Sequence, residues 1–231
     1  IVGSKIYDGS ATVSNSAITT INNLAGSETL SLNGSGTISS VGVGSGKTIS
    51  MGTLDLADNS GSASNYELSS GTFEVTKRDI TFSGDRVYDG TTDVDPSNLT
   101  ITFSNLVSGE NLTLTGNGTV VSKNVASGQS ISLGSILLAN GNAAANNYNL
   151  TTATLNINKR PLGIEGSRVY DSTSTVSASD LTTFSNLVGT ETISLSGNGL
   201  MGNANVGDSK LLSDVSGLSL GDGSNGGLGS N

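Results

Sequence analysis

The stretch Lys77-Arg78-Asp79-Ile80-Thr81-Phe82-Ser83-Gly84-Asp85-Arg86-Val87-Tyr88-Asp89-Gly90 reads as an extended segment, a tight polar turn at Gly84-Asp85, and a second extended segment ending in Tyr-Asp-Gly. It returns as Lys159-Arg160-Pro161-Leu162-Gly163-Ile164-Glu165-Gly166-Ser167-Arg168-Val169-Tyr170-Asp171-Ser172, and the chain opens inside a third copy, Ile1 to Gly9. A tandem array follows from this recurrence, and it overrides what 231 residues would otherwise imply about domain number.

The spacing is regular. Tyr7 to Tyr88 is 81 residues and Tyr88 to Tyr170 is 82. Asn65-Tyr66-Glu67-Leu68 recurs as Asn147-Tyr148-Asn149-Leu150, and Asn23-Leu24 with Glu28 recurs as Asn105-Leu106 with Glu110 and Asn186-Leu187 with Glu191. Solenoid coils take about 20–47 residues per repeat. A period near 80 instead suits a small β-domain with a core of its own. The expected boundaries are residues 1–77 for a first repeat with an incomplete first strand, 78–159 for a complete second, and 160–231 for a third lacking its last strands.

Alternation sets the strands within each repeat. Glu28 to Leu32, Asn111 to Leu114 and Thr192 to Leu195 alternate polar and apolar. The Gly-Ser-Gly or Gly-Asn-Gly that follows predicts a hairpin turn, because Gly and Asn accept positive φ. Ile49, Met51, Leu54 and Leu56 are spaced two, three, two, as are Ile131, Leu133, Ile136 and Leu138. A β-bulge at Gly52-Thr53 and Gly134-Ser135 would keep all four on one face. An Asn-Tyr-x-Leu strand and a last strand, Thr72 to Val75 or Thr154 to Ile157, complete the set. Ser10 to Leu24 suits strand and loop or one short helical turn. The expected fold is all-β: tandem domains of about 81 residues, each a small sandwich or β-grasp-like sheet, strung end to end as a rod.

Composition narrows function. Ten Lys and Arg against nineteen Asp and Glu give a net charge of −9, which disfavours nucleic acid and anionic membrane as partners. The chain has no Cys, His or Trp, so disulfides, thiolate or imidazole metal sites and the common hydrolase triads are excluded. No apolar run approaches the roughly 18 residues of a membrane span. Low charge content and abundant Thr, Val, Ile and Leu suit a secreted β-rich repeat protein.

Several motifs invite chemistry. Gly44-Ser45-Gly46-Lys47-Thr48 looks like a phosphate loop, but Val41 stands where the first Gly is required and strand, not helix, follows; a hairpin turn is the plainer reading. Tyr7-Asp8-Gly9, Tyr88-Asp89-Gly90 and Tyr170-Asp171-Ser172 could be acid–base pairs. Their repetition fits a fold-defining turn better, with the Tyr ring buried and the Asp accepting turn amides. Tyr66 and Tyr148 are landmarks of the same kind. Calcium would find Asp55, Asp58, Asp93, Asp95, Asp208, Asp214 and Asp222 in loops, yet no copy shows a calcium-loop pattern, and solvated carboxylates are the preferred reading; no cofactor is expected. Five Asn-x-Ser/Thr sequons, at Asn33, Asn98, Asn111, Asn117 and Asn149, are no more than this composition yields by chance. Lys77-Arg78 and Lys159-Arg160 fit an exposed strand whose charge discourages edge pairing.

With Arg86-Val87-Tyr88-Asp89-Gly90-Thr91, Asn147-Tyr148-Asn149-Leu150 and the 80-odd-residue period, the chain resembles the YDG-type, MBG-related repeats of large bacterial surface proteins, including filamentous-haemagglutinin-like adhesins. Ser172 departs from the pattern. The resemblance implies an extracellular, cell-surface location and a non-enzymatic stalk or fibre segment, with no catalytic residues to carry over. The partners expected are neighbouring repeats of the same or identical chains, with host or matrix glycans and proteins met through regions outside this chain. The competing readings are a filament or surface-layer subunit completed by strand exchange, and a glycan- or protein-binding module; five Tyr and four Phe, nearly all at repeat landmarks, leave the latter few exposed aromatics.

Overall fold

A computed structural model describes residues Ile1–Asn231 throughout. The chain forms strands and five short 3-10 turns, with no α-helix. It divides into two compact units. The first holds Ile1–Phe82, Thr102–Gly116 and Ser135–Ala153; the second holds Ser83–Ile101, Asn117–Gly134 and Thr154–Asn231. The middle repeat therefore contributes residues to both.

In the first unit a six-stranded sheet runs in the order Thr12–Ser14, Ser35–Ile38, Gly44–Ser50, Thr72–Thr76, Val2–Ile6, Ile18–Thr20. Val2–Ile6 lies parallel to Thr72–Thr76, residue for residue from Val2 opposite Thr72 to Ile6 opposite Thr76. A two-stranded ribbon, Ser31–Asn33 with Asp55–Ala57, accompanies it. The arrangement is sandwich-like and lacks the helix of a β-grasp. Tyr7, Val13, Ile38, Ile49, Leu54, Phe73 and Val75 of the first repeat pack in one core with Ile80, Leu112, Ala143 and Tyr148. Those last four belong to the second repeat, so the expectation of a private core per repeat gives way to a shared one.

The second unit repeats the same devices. Ala126–Ser130 pairs with the end of the Tyr148–Asn158 strand, Ala126 opposite Ile157 and Ser130 opposite Thr154. Gly163–Glu165 pairs with Thr183–Ser185. Tyr88, Val94, Leu155, Ile157 and Val176 are buried.

Four sequence expectations change. No turn forms at Gly84-Asp85: Arg78–Val87 is one uninterrupted ten-residue strand. Ile80, Phe82, Gly84 and Arg86 all point inward, so the period of two runs through the glycine. Gly84 is small because a Cβ there would sit 2.7 Å from Leu99 Cδ1; the glycine marks a close approach, not a reversal.

No hairpin forms at Gly34-Ser35-Gly36 either. Ser31–Asn33 pairs with Asp55–Ala57, whereas Ser35–Ile38 pairs with Thr12–Ser14 and Gly44–Ser50. The chain changes sheet at Gly34, whose φ is +79°. Gly116 (+80°) and Gly197 (+89°) do the same work, and Ile193–Met201 continues through Gly197 as a single strand. A Cβ at these three positions would run into the carbonyl oxygen of Thr53, Ser135 or Gly217 respectively.

The expected bulge at Gly52-Thr53 is instead a tight turn, closed by Leu54 N–H to Met51 O at 2.8 Å with Gly52 at φ +59°. Leu54 still returns to the core. The actual bulge lies between Gly44 and Lys47, inside the stretch that resembles a phosphate loop; the strand bends there, and no hairpin turn forms. Finally, Tyr66 to Leu68 is not a strand in the first repeat, while Tyr148–Asn158 fuses the expected Asn-Tyr-x-Leu and last strands into one of eleven residues. In Ser10 to Leu24, strand Thr12–Ser14 precedes a 3-10 turn at Asn15–Ala17.

Candidate functional site

Each Tyr-Asp-Gly copy ends a segment whose loop is held from both sides. Asp8, Asp89 and Asp171 accept the backbone N–H two residues on, from Ser10, Thr91 and Thr173, at 2.9–3.0 Å. The next residue takes left-handed φ: Gly9 +73°, Gly90 +77°, Ser172 +69°. The cation two residues before each Tyr closes the loop. Lys5 donates to the carbonyls of Ser10 and Thr12, Arg86 to those of Thr91 and Asp93, and Arg168 to those of Thr173 and Thr175. Each cation also pairs with the Asp three residues later, at 2.7–3.0 Å.

This loop aims the tyrosine. In the first unit the Tyr7 hydroxyl donates to Glu110 Oε1 at 2.6 Å. Tyr148 donates to the other oxygen of the same carboxylate and accepts the Val107 N–H at 3.2 Å. The two rings meet edge-on, centroids 5.5 Å apart at 80°, the favoured aromatic arrangement. Arg78 fastens the same place: Nε and Nη2 donate to the carbonyl and side-chain oxygens of Asn105 at 2.6 and 2.7 Å, and Nη1 to Tyr7 O at 3.3 Å. Asn147 Oδ1 accepts the Val43 N–H at 2.9 Å.

The second unit builds the clamp again. Tyr88 donates to Glu191 Oε1 at 2.5 Å, Arg160 grips Asn186 and Tyr88 O at 2.6–3.3 Å, and Asn231 Oδ1 accepts the Val125 N–H at 3.1 Å. Lys123 joins, 3.3 Å from the Glu191 carboxylate. Each clamp thus ties a Tyr to a Glu 103 residues downstream, in the following repeat.

Compared with known families, the chain matches the YDG domain three times, over residues 2–73, 74–155 and 158–231. The chain belongs to the YDG-domain family. No curated protein and no solved structure matches it.

Within the YDG repeats the clamp is electrostatically one-sided. Burial, then the hydrogen bond to Glu110, pushes the Tyr7 and Tyr148 phenols up to about 12. Burial and Glu191 raise Tyr88 in the same way. Each phenol is thereby held as a neutral donor to a carboxylate. Asp8 is lowered: burial opposes this, and Lys5 with the Ser10 amide outweighs it. The Thr173 amide and hydroxyl lower Asp171.

The landmarks named from sequence divide between two environments. Tyr7 and Tyr88 are 4% and 2% exposed, whereas Tyr170 is 58% exposed. Tyr148 is buried, and Tyr66 is half-buried, donating to Glu28 at 2.5 Å. Lys77 stays exposed but Arg78 does not stand free on an edge as its charge predicted. Reading the sequence missed Glu110, Glu191, Arg78, Arg160, Asn105 and Asn186 as clamp residues. The signal was present, since Asn-Leu-x-x-x-Glu recurs in all three repeats. The loop aspartates do not gather: no three acidic side chains converge. Lys47 of the phosphate-loop lookalike donates to Ser40 Oγ at 2.8 Å. Shallow clefts of about 320 and 360 Å³ flank Tyr66, sharing Leu56, Glu67 and Leu68.

Proposed function

We propose that this chain is a non-enzymatic extracellular structural segment, the stalk or fibre region of a bacterial cell-surface adhesin. The observation that carries the reading is the recurring Tyr–Glu–Arg clamp, which spends the most distinctive residues of each YDG repeat on the next repeat. The surface-protein setting comes from the family resemblance. Only Lys77 separates Thr72–Thr76 from Arg78–Val87, so no flexible linker intervenes there. Residues that would otherwise be candidates for acid–base work serve as fasteners. A stalk needs this economy, because its task is to keep a set distance under load.

Small-angle scattering of the intact chain tests the proposal. An elongated particle with the cross-section of one YDG repeat is the expected result. A compact globule would overturn the stalk reading.

A further inference from the structure

We propose that the Tyr170 face of one copy docks onto the Glu28 face of a second copy, remaking head to tail the clamp that the chain makes twice internally. This goes beyond the stalk reading, since it concerns how copies meet and holds whatever the full protein carries.

Both half-sites are formed and open. On the donor side the Tyr170 loop is already set: Asp171 caps Thr173 N–H, Arg168 holds the Thr173 and Thr175 carbonyls, and Ser172 has the φ of Gly9 and Gly90. Its tyrosine is exposed, unlike Tyr7 and Tyr88. Val206 aligns with Val43 and Val125, whose amides are capped by an asparagine of the following repeat; Val206 itself is 83% exposed. On the acceptor side Glu28 takes Tyr66 as Glu110 takes Tyr148, and the Tyr66 hydroxyl accepts the Ala25 N–H at 3.0 Å. No counterpart of Tyr7 reaches it. Asn65, which aligns with the buried Asn147, is exposed.

Size complementarity points to this chain as the occupant. In both internal clamps the glycine after Tyr-Asp faces a valine: a Cβ on Gly9 would lie 3.0 Å from Val107 Cγ1, and one on Gly90 2.8 Å from Val188 Cγ1. Such approaches leave no room for a side chain. The open donor half carries Ser172, which has that Cβ. The open acceptor half carries Ala25, which has no γ-methyl to meet it. The two departures compensate each other. The docked pair therefore sets Tyr170 on Glu28, Ser172 on Ala25 and the Val206 amide on Asn65. It has no counterpart of Arg78 or Arg160, so the contact is weaker than the internal ones.

Sedimentation equilibrium of the intact chain, from about 10 µM to about 1 mM, tests this at concentrations where weak contacts register. Mass rising with concentration is expected. Tyr170→Phe should weaken association about tenfold by removing a hydrogen bond to a charged group. Ala25→Val should abolish it, and Ser172→Gly on that background should restore it, recreating the internal glycine–valine pair. All three positions are exposed, so folding is not at stake. A monomer at every concentration, or association indifferent to Ala25→Val, overturns the proposal.

Discussion

A phenol facing a carboxylate is a modest contact on a surface and a consequential one when buried. Tyr7 is 4% exposed and shares Glu110 with Tyr148. Removing the Tyr7 hydroxyl as Tyr7→Phe should cost about 1–3 kcal/mol, the range for hydrogen bonds to charged groups, read as a lower denaturant midpoint. Tyr170→Phe in dilute monomer should stay within about 0.5 kcal/mol, as exposed substitutions do. The raised phenols also fix a pH response. A group that ionises less readily in the folded chain gives stability that is whole below the unfolded value of 10.0 and fades as pH climbs toward about 12. Melting midpoints should therefore be flat from pH 8 to 9.5 and fall above pH 10, while tyrosinate absorbance shows Tyr7 and Tyr148 ionising late. A midpoint that holds steady to pH 11.5 would contradict this. The Tyr-Asp-Gly turn was legible from residue type, because Asp and Gly each have a local job. The partner of the tyrosine was not, since Glu110 is 103 residues away and nothing local to Tyr7 announces it.

At the scale of elements, glycine carried most of the misreading. Gly34, Gly52, Gly46 and Gly84 read alike in sequence, yet they serve as a sheet switch, a turn, a bulge and a close approach. Alternation located the strands and their inward faces correctly, because burial imposes it. It could not say which strand each would pair with. The sheet switch gives the sharpest test. Gly34→Ala must adopt φ +79° and drive a methyl into the Thr53 carbonyl. Left-handed backbone alone costs an L residue about 1–2 kcal/mol; with the collision, the loss should exceed that. Gly26→Ala meets nothing within 4 Å at φ +58° and should cost only the backbone term. If the two variants unfold at the same denaturant concentration, Gly34 is not a packed corner.

For the molecule as a whole, the period and the all-β class were readable from sequence, and the sharing of a core between repeats was not. A repeat's apolar count says how much can be buried, not whose side chains bury it. Because Tyr7, Phe73 and Val75 pack with Ile80, Leu112 and Tyr148, a Gly-Ser insertion after Lys77 should do more than add bending. It should lower the denaturant midpoint of the intact chain, since the two sides of one core would close over a longer loop. Unchanged stability with added flexibility in scattering would instead favour independent beads.

The 103-residue reach of the clamp also sets a clock. At about 5–20 residues per second of synthesis, Glu110 emerges roughly 5–20 s after Tyr7, and until then the Tyr7 ring has no cap. The same delay recurs for Tyr88 and Glu191. Each newly emerging repeat thus finishes the one before it, so maturation proceeds from the amino end with only the youngest repeat unsealed. A nascent chain halted just short of Glu110 should leave its first repeat sensitive to protease, and extension past that residue should protect it.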